Sequence, residues 1–387
     1  MLDKNIEAAT NWILNSGIQG SDGGFNSWYD LDKKTYKYKY SEITGYGITT
    51  LLFLNKINPN NIFIEKAKAA ARWLINNSMH PCDGFKTRSY YPREDENEEY
   101  SFNNSRIFSF DTGIVLNGLI NLYKETKDER LLNYSLRSTN FLINKMQRDD
   151  GLFNTTYDPN NDEMINTLQR WSSQSGSYHA KIAIPLINLY EITNNEEFKE
   201  AAIKICGSSL KFQVEDGRFI SFADSNDTHL HPHLYTLEGL FYVANKLRSE
   251  KQSSLYIDSV KKSLFWTLKN QKNTGGFPQL YYHKEKKQNE FERTDINAQV
   301  LRKSLLLRSY GILGEEYDHK INMALERLKS FQHFSDEKTN GGFYFGYDQN
   351  GEKLNHLNSW CTMFALQGLI YYNQFNSGQK LDMEFLI

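Results

Sequence analysis

The chain has 387 residues, and its 45 Lys and Arg nearly balance its 47 Asp and Glu, which gives a net charge of −2 at pH 7. This balance disfavours a dedicated nucleic-acid binder and a polybasic membrane partner. Aromatic residues make up 14% of the chain, with 24 Tyr, 24 Phe and 6 Trp. Such rings suit an aromatic-lined cleft as well as a packed core.

The three cysteines, Cys82, Cys206 and Cys361, lie far apart and form no CxxC pair. Their number and spacing predict neither a disulfide framework nor a cysteine-rich zinc site. The first residues lack a basic start followed by a long apolar run, and no segment approaches 18 consecutive apolar residues. We therefore expect a cytoplasmic protein without membrane insertion.

A glycine–aromatic motif recurs six times. Its glycines are 59 to 67 residues apart: Gly24, Gly84, Gly151, Gly217, Gly276 and Gly342. Even spacing of this length indicates a repeat architecture. The phenylalanine after each turn is predicted to be a structural pin, at Phe25, Phe85, Phe153, Phe219, Phe277 and Phe343.

Each motif lies between two predicted helices. The stretch before it is amphipathic, with apolar residues at helical spacing, and the helix after it is more apolar. In chain order the apolar helices are ITGYGITTLLFL, DTGIVLNGLINLY, YHAKIAIPLINLY, LYTLEGLFYVA, INAQVLRKSLLL and SWCTMFALQGLIYY. We predict an all-α (α/α)6 toroid of six helix hairpins, which covers residues 1–387 as one domain and has the apolar helices inside.

In such a ring the inner helices all begin at one face, so the residues at their N-termini converge. The repeat alignment places there Glu42, Asp111, His179, the run His229–His231–His233, Asp295 and Trp360. Two carboxyls across a cleft can act as acid and base, or as acid and nucleophile. Asp111 is therefore assigned as the principal acid or base, with Glu42 or Asp295 as its partner, and His179 and His233 as further catalytic groups that move protons.

A second group of residues is expected to bind the substrate. Arginine offers a planar fork that matches a sugar carboxylate, while Tyr and Trp offer flat faces and polar groups to a sugar ring. The expected binding residues are Tyr46, Arg106, Arg170, Trp171, His231, Tyr235 and Trp360.

Structural alternatives remain open for these residues. Glu42 and Asp111 can merely complement a helix dipole, and Asp295 can be an N-cap. His179 can be a hydrogen-bonded structural histidine and Trp360 can pack in the core. We assign no metal and no cofactor, although the histidine run leaves a metal-dependent enzyme as an alternative. The charged run Arg93–Glu99 is predicted to be a solvated loop.

Several segments resemble one family. They are DTGIVLNGLINLYKETKD, SGSYHAKIAIPLINLYEITNNEEFKEAA, HPHLYTLEGLFYVA, TDINAQVLRKSLLL and HLNSWCTMFALQGL. From about Asp22 to Tyr372 the chain resembles the (α/α)6-toroid proteins of bacterial and archaeal polysaccharide-biosynthesis loci, which are labelled prenyltransferase/squalene-oxidase-repeat-like or pectate-lyase-like. The wider architecture includes unsaturated glucuronyl hydrolases, sugar epimerases and polysaccharide lyases, and this resemblance implies a saccharide substrate.

The sequence lacks the motifs of the main non-sugar enzymes that share this architecture. The sequence has no Asp-x-Cys pair of protein prenyltransferases, no D-x-D-D of squalene-type cyclases, no zinc Cys-His set of lanthionine cyclases and no CGEQ thioester. We predict a carbohydrate-active enzyme of polysaccharide metabolism that uses acid–base catalysis, as a glycoside hydrolase, polysaccharide lyase or sugar epimerase, with uronic acids as one candidate substrate class. The alternative is a non-catalytic glycan-binding or scaffold protein of a polysaccharide-biosynthesis system.

Overall fold

The computed structural model describes residues 3–91, 106–335 and 337–387. The predicted loop Arg93–Glu99 lies outside these residues. Twelve α-helices occur in the described part: α1 Lys4–Asn15, α2 Ser41–Ile57, α3 Asn61–Trp73, α4 Ser109–Thr126, α5 Glu129–Phe141, α6 Ala183–Thr193, α7 Glu196–Ser209, α8 Leu230–Lys246, α9 Gln252–Lys269, α10 Thr294–Ser309, α11 Asp318–Ser330 and α12 Ser359–Asn376. None of these helices is long and apolar enough to cross a membrane.

Shorter helical turns extend several of these helices. α3 and α5 continue into π-helical turns at Leu74–Ser78 and Leu142–Met146, and a 3-10 segment at Ser177–Ile182 leads into α6. Further 3-10 turns lie at Trp171–Ser173, Leu210–Phe212 and Glu315–Tyr317.

The even-numbered helices form a closed inner ring. Each contacts the next in order from α2 to α12, and α12 returns to contact α2. The inner helices are buried on nearly all sides, as in α4, where every residue from Ser109 to Leu122 is buried. The outer helices bury a single stripe, which in α5 consists of Leu131, Ser135, Ser138, Thr139 and Phe141. The predicted all-α (α/α)6 toroid is confirmed, and the amphipathic helices are on the outside.

Short strands run around the face where the inner helices begin. They are β1 Trp28–Asp30, β2 Thr35–Tyr36, β3 Lys39–Tyr40, β4 Arg88–Ser89, β5 Ile107–Phe108, β6 Thr156–Asp158, β7 Glu163–Ile165, β8 Thr228–His229, β9 Leu280–Tyr282, β10 Lys287–Gln288, β11 Glu292–Arg293, β12 Phe343–Tyr344, β13 Gly346–Tyr347 and β14 His356–Asn358. All pairings are antiparallel, and most strands that precede an inner helix pair with the following repeat: β3 with β4, β5 with β6, β8 with β9 and β11 with β13. The last such strand, β14, pairs with β1 of the first repeat and so closes the belt.

The repeated glycine turns lock each outer helix to its neighbour. Gly23 has φ = +101°, and a Cβ at this position would lie 2.2 Å from the carbonyl oxygen of Ala69 in α3. The turn therefore requires glycine both for its left-handed backbone and for its close approach. All six pin phenylalanines are fully buried. In five repeats a glutamine side chain donates to the turn and to the next outer helix: Gln19, Gln147, Gln213, Gln271 and Gln332.

The opposite end of the ring is filled by residues 381–387. Five of these seven residues are buried, namely Leu381, Met383, Phe385, Leu386 and Ile387. Backbone carbonyls of this segment accept hydrogen bonds from Asn117, Arg302, Gln367 and Tyr371 on three inner helices. The ring is thus a cup that opens at the strand-bearing face.

Candidate active site

The cup contains a cavity of about 270 Å³ at its strand-bearing face. Two carboxyls, three arginines and many aromatic rings line it. The lining includes Tyr38, Tyr40, Glu42, Arg88, Phe108, Phe110, Asp111, Arg170, Trp171, Tyr178, His229, His231, Tyr235, Arg293 and Trp360.

Nine of the lining residues occupy two fixed positions relative to the inner helices. The second residue of an inner helical segment lines the cavity in five repeats: Glu42, Phe110, Tyr178, His231 and Trp360. The residue immediately before the helix lines it in four: Tyr40, Phe108, His229 and Arg293. These positions are two residues apart at the change from strand to helix. Arg293 was not predicted as a site residue, because only the helix starts were aligned. The two-residue spacing between these positions is the sequence signal that would have identified it.

Glu42 and Asp111 form the polar centre of the cavity. The hydroxyl of Tyr40 lies 3.5 Å from Oδ1 of Asp111, and its interaction with Glu42 lowers the pKa of that carboxyl against the effect of burial. Thr87 donates from Oγ1 to Oδ2 of Asp111 at 2.6 Å. The structure thus brings together two carboxyls that the sequence separates by 69 positions.

Burial makes it costly for both carboxyls to be ionised at once. Burial, reinforced by the charge of Asp111, raises the pKa of Glu42 to about 8, although Tyr40, Lys181 and Arg88 oppose the rise. Burial also raises the pKa of Asp111 to about 6 against the hydrogen bond from Thr87 and the charge of Arg88. Near pH 7 the pair therefore holds about one proton, which suits one acid and one base.

Positive charge faces this pair. The guanidinium of Arg88 is buried and lies 5.0 Å from the ring centre of Tyr38 and 4.9 Å from that of Tyr40. Arg170 and Arg293 line the cavity as well. Arg106, which was predicted to bind substrate, instead lines a smaller neighbouring cavity together with Thr156, Thr167 and Arg170.

Asp295, predicted as a catalytic carboxyl, does not face the cavity. Its carboxylate is fully buried behind the wall and accepts hydrogen bonds from Nε of Arg293 at 3.0 Å and from Nε1 of Trp360 at 3.0 Å. Nδ1 of His231 lies 3.2 Å from the same carboxylate. Asp295 thus hydrogen-bonds two lining side chains, lies beside a third, and itself stands outside the cavity lining; its role as a catalytic group stays a prediction.

His233, which was also predicted as catalytic, lies outside the cavity lining. Its Nδ1 accepts the backbone N–H of pin Phe219 at 3.1 Å, and its Nε2 lies 3.0 Å from Oγ1 of Thr267. Threonines at the same fourth helix position accept the equivalent pin N–H groups in three other repeats: Thr44, Thr112 and Thr362. His233 therefore accepts the pin N–H at a position that holds threonine in three of the six repeats.

His179 and Tyr46 also lie outside the cavity lining. His179 is fully buried, with its ring 4.1 Å from that of Tyr178 and 5.9 Å from that of pin Phe153. Burial lowers the pKa of His179 to about 3, so the ring is neutral. Tyr46 is buried below the cavity floor rather than exposed to a substrate.

The remaining predicted binding residues do meet in the cavity. The ring of Trp171 packs 5.2 Å from Tyr178, 5.8 Å from His229 and 5.7 Å from His231. Burial and the charge of Arg293 lower the pKa of both histidines well below the usual range, so both are neutral near pH 7. No group of three or more His, Cys, Asp or Glu side chains suited to a metal ion occurs within residues 3–91, 106–335 and 337–387.

Aromatic side chains line the cup, and its two carboxyls have different pKa values. This arrangement is typical of an enzyme that acts on sugars by acid–base catalysis. Residues 86–299 match the family model described as Glycosyl Hydrolase Family 88. The chain belongs to glycosyl hydrolase family 88. The prediction of a carbohydrate-active enzyme is confirmed, and the family match favours it over the non-catalytic scaffold.

Solved structures share the fold across nearly the whole chain. A sugar epimerase from a ruminal bacterium has a TM-score of 0.76 at 10% identity, covering 94% of this chain and 98% of its own. A family 88 glycosyl hydrolase from Bacteroides vulgatus has a TM-score of 0.66 at 13% identity, covering 96% and 100%. A UGL structure named with the saccharide dGlcA-Glc-Rha-Glc has a TM-score of 0.66 at 13% identity, covering 98% of each chain. A comparison with curated proteins finds no match.

Proposed function

We propose that the enzyme is a hydrolase that removes a terminal uronic acid residue from a saccharide. The observation that carries this proposal is the Glu42–Asp111 pair, which lies with Tyr40 in a cavity that three arginines also line. A guanidinium pairs well with a sugar carboxylate, and the aromatic walls suit the faces of a sugar ring.

The shape of the ring supports a terminal residue as the target. Residues 381–387 fill the far end, so a saccharide chain cannot thread through the ring. Only the end of a chain then reaches the carboxyl pair. The family 88 match and the dGlcA-terminated saccharide of the UGL structure further support a uronate at that end.

The different pKa values of Glu42 and Asp111 support a different catalytic role for each carboxyl. Glu42 keeps its proton near pH 7 and donates it to the leaving glycosidic oxygen, while ionised Asp111 takes a proton from the attacking water. The C–O bond breaks, water adds across it, and the pair exchanges one proton between its members. Asp295 contributes by holding Arg293 and Trp360 in place through hydrogen bonds.

Oligosaccharides that end in a saturated or a 4,5-unsaturated uronate test this proposal, with products identified by mass and by the loss of enol-ether absorbance. We expect Asp111→Asn to lower kcat by about 10²- to 10⁴-fold without loss of fold. Asp158→Asn is the matched control, because Asp158 is a buried acid outside the cavity lining. Wild-type turnover by Asp111→Asn would contradict the catalytic assignment.

Epimerisation is a second candidate, because neutral His229 and His231 side chains line the same cavity and a neutral imidazole can take a proton from carbon. The same assay separates the reactions. Hydrolysis adds the mass of water, epimerisation leaves the mass unchanged, and a lyase creates absorbance instead of removing it.

The cellular setting stays a proposal. The three cysteines are free thiols, which supports a reducing, cytoplasmic compartment. A role in polysaccharide biosynthesis depends on the sequence resemblance, and the near-neutral charge supports a saccharide rather than a nucleic acid as the partner.

A further inference from the structure

A second, smaller cavity of about 170 Å³ adjoins the active site between the second and third repeats. Phe108, Gln169 and Arg170 line both cavities, so the two spaces are neighbours. Arg106 and Thr156 line only the smaller one. A substituent on a saccharide in the active site is therefore close to the smaller cavity.

The smaller cavity is positively charged and poor in aromatic rings. Arg106 and Arg170 supply two guanidinium groups, and no Asp or Glu is among the described residues that line it. Phe108 is the one aromatic ring of this lining in the described part of the chain. Sugar rings pack on aromatic faces, whereas guanidinium groups bind carboxylates and other oxyanions. The smaller cavity therefore suits a charged substituent better than a sugar ring.

Arg106 brings a guanidinium without a partner to this cavity. No hydrogen bond or ion pair joins its side chain to another residue within 3–91, 106–335 and 337–387, although its Nε is buried. Its backbone is fixed, because its carbonyl accepts the N–H of Thr87 at 3.0 Å. An arginine is always charged, so its partial burial is unfavourable until an anion binds to it.

The third repeat builds its side of the cavity on a closed loop. The N–H of Thr167 donates to the carbonyl of Ser173 at 2.8 Å, and Oγ of Ser173 accepts the N–H of Arg170 at 3.2 Å. Gln174 is buried and donates from Nε2 to the carbonyls of Leu168 and Arg170, at 3.2 and 3.3 Å. The backbone that carries Arg170 is thus ordered before a ligand arrives, which lowers the entropic cost of binding.

We propose that Arg106, together with Arg170 and Thr156, forms a second anion-binding subsite, which holds a carboxylate or sulfate group on the saccharide residue next to the terminal uronate. This inference rests on the proposed function and narrows the substrate class to saccharides with two neighbouring anionic groups. The terminal uronate occupies the cavity of the carboxyl pair, and the anionic group of the next residue enters the smaller cavity.

The first test measures binding without turnover, by isothermal titration calorimetry of the Asp111→Asn variant. Three disaccharides end in the same uronate and have a neutral hexose, a second uronate or a sulfated hexose as the other residue. We expect an anionic second residue to tighten binding by about 10- to 100-fold, as a hydrogen bond between charged groups does. Adding Arg106→Gln should reduce this ratio to about one. Adding Arg130→Gln, at an exposed arginine outside both cavities, should leave the ratio unchanged.

Tighter binding of only one anionic disaccharide would support the subsite and show which anion it takes. Equal affinity for all three, or a ratio that survives Arg106→Gln, would overturn the proposal. If circular dichroism shows Arg106→Gln to be unfolded, Arg106→Lys replaces it. This variant keeps the charge but lacks the planar fork, and it should lower the ratio in part.

The second test needs no saccharide. Wild-type enzyme with ¹⁵N-labelled arginine is titrated with inorganic sulfate, and Arg106→Lys assigns the Nε–H signal of Arg106 in NMR spectra. We expect this signal to shift to saturation, while the signal of Arg130 does not saturate. Absence of a saturable shift at Arg106 would overturn the subsite. If sulfate saturates Arg106 but no uronate-terminated disaccharide binds, the proposed function fails and the anion-binding site stands.

Discussion

The indole of Trp360 donates a hydrogen bond to the buried carboxylate of Asp295 at 3.0 Å. The same carboxylate binds the guanidinium of Arg293 through Nε and Nη2. One buried acid therefore fixes two walls of the cavity that come from different repeats. Removing its charge should disturb binding and stability together.

We expect Asp295→Asn to lower kcat/KM by about 10- to 100-fold, because misplaced lining groups no longer fit the substrate. We also expect the free energy of unfolding to fall by about 3 kcal/mol, since Arg293 loses its buried partner. Urea unfolding and steady-state kinetics measure the two effects. Asp162→Asn, at an exposed pair with Lys145, is the control and should change neither.

The pH profile of kcat/KM should be bell-shaped. Activity falls below about pH 6 as Asp111 gains a proton, and above about pH 8 as Glu42 loses one. Both limbs of the profile reflect the titration of the coupled carboxyl pair. In Glu42→Gln the alkaline limb should therefore disappear, while the residual rate still falls at acidic pH. An alkaline limb that persists unchanged in Glu42→Gln would assign the acid to another group.

Glu42 should also weaken the folded state at neutral and alkaline pH. Its folded pKa, about 8, exceeds the usual value of 4.5, so its contribution to stability is present below about pH 4.5 and is lost as the pH rises to 8. Glu42→Gln keeps a neutral side chain at every pH. We expect it to be more stable than wild type by about 2–4 kcal/mol at pH 8 and nearly equal at pH 4 in urea unfolding.

Variants of His233 test whether this side chain has a structural or a catalytic role. We expect His233→Ala to lower the free energy of unfolding by about 1–3 kcal/mol, because the N–H of Phe219 loses its acceptor. The value of kcat should stay within about twofold, since His233 lies outside the cavity lining. His233→Thr should recover part of the stability. A large loss of kcat in a folded His233→Ala variant would restore the catalytic assignment.

The fold was predictable because the same local rules act six times. Five of the six turns have a glycine at the left-handed position, where the second turn has Asp83, and every turn buries its phenylalanine. The inner helices are apolar on nearly all sides, and such helices are stable only when they are buried. The glutamine side chains that join a turn to the next outer helix, such as Gln19 and Gln332, were not predicted. In the sequence, a polar residue before a turn resembles an ordinary surface residue. That residues 1–387 form one domain stays a prediction.

The site was predictable only in part. Glu42 and Asp111 stand at helix starts, where alignment of the repeats finds them. His179 and His233 were also found at helix starts, but both lie outside the cavity lining, because the alignment does not show which way a side chain on a helix points. Their catalytic assignment stays a prediction. The burial of Lys181, whose charge lowers the pKa of Glu42, was not predicted, because sequence alone does not distinguish a buried lysine from one that reaches solvent.

The pairing of β14 with β1 carries a consequence for the order of events during protein synthesis. Glu42 and Asp111 leave the ribosome in the first third of the chain, whereas Trp360 and the strand that pairs with Trp28 are made some 330 residues after β1. Contacts this distant in sequence form late in folding. A nascent chain therefore carries its carboxyl pair long before the cavity around that pair is closed, and the cavity is completed only with the sixth hairpin.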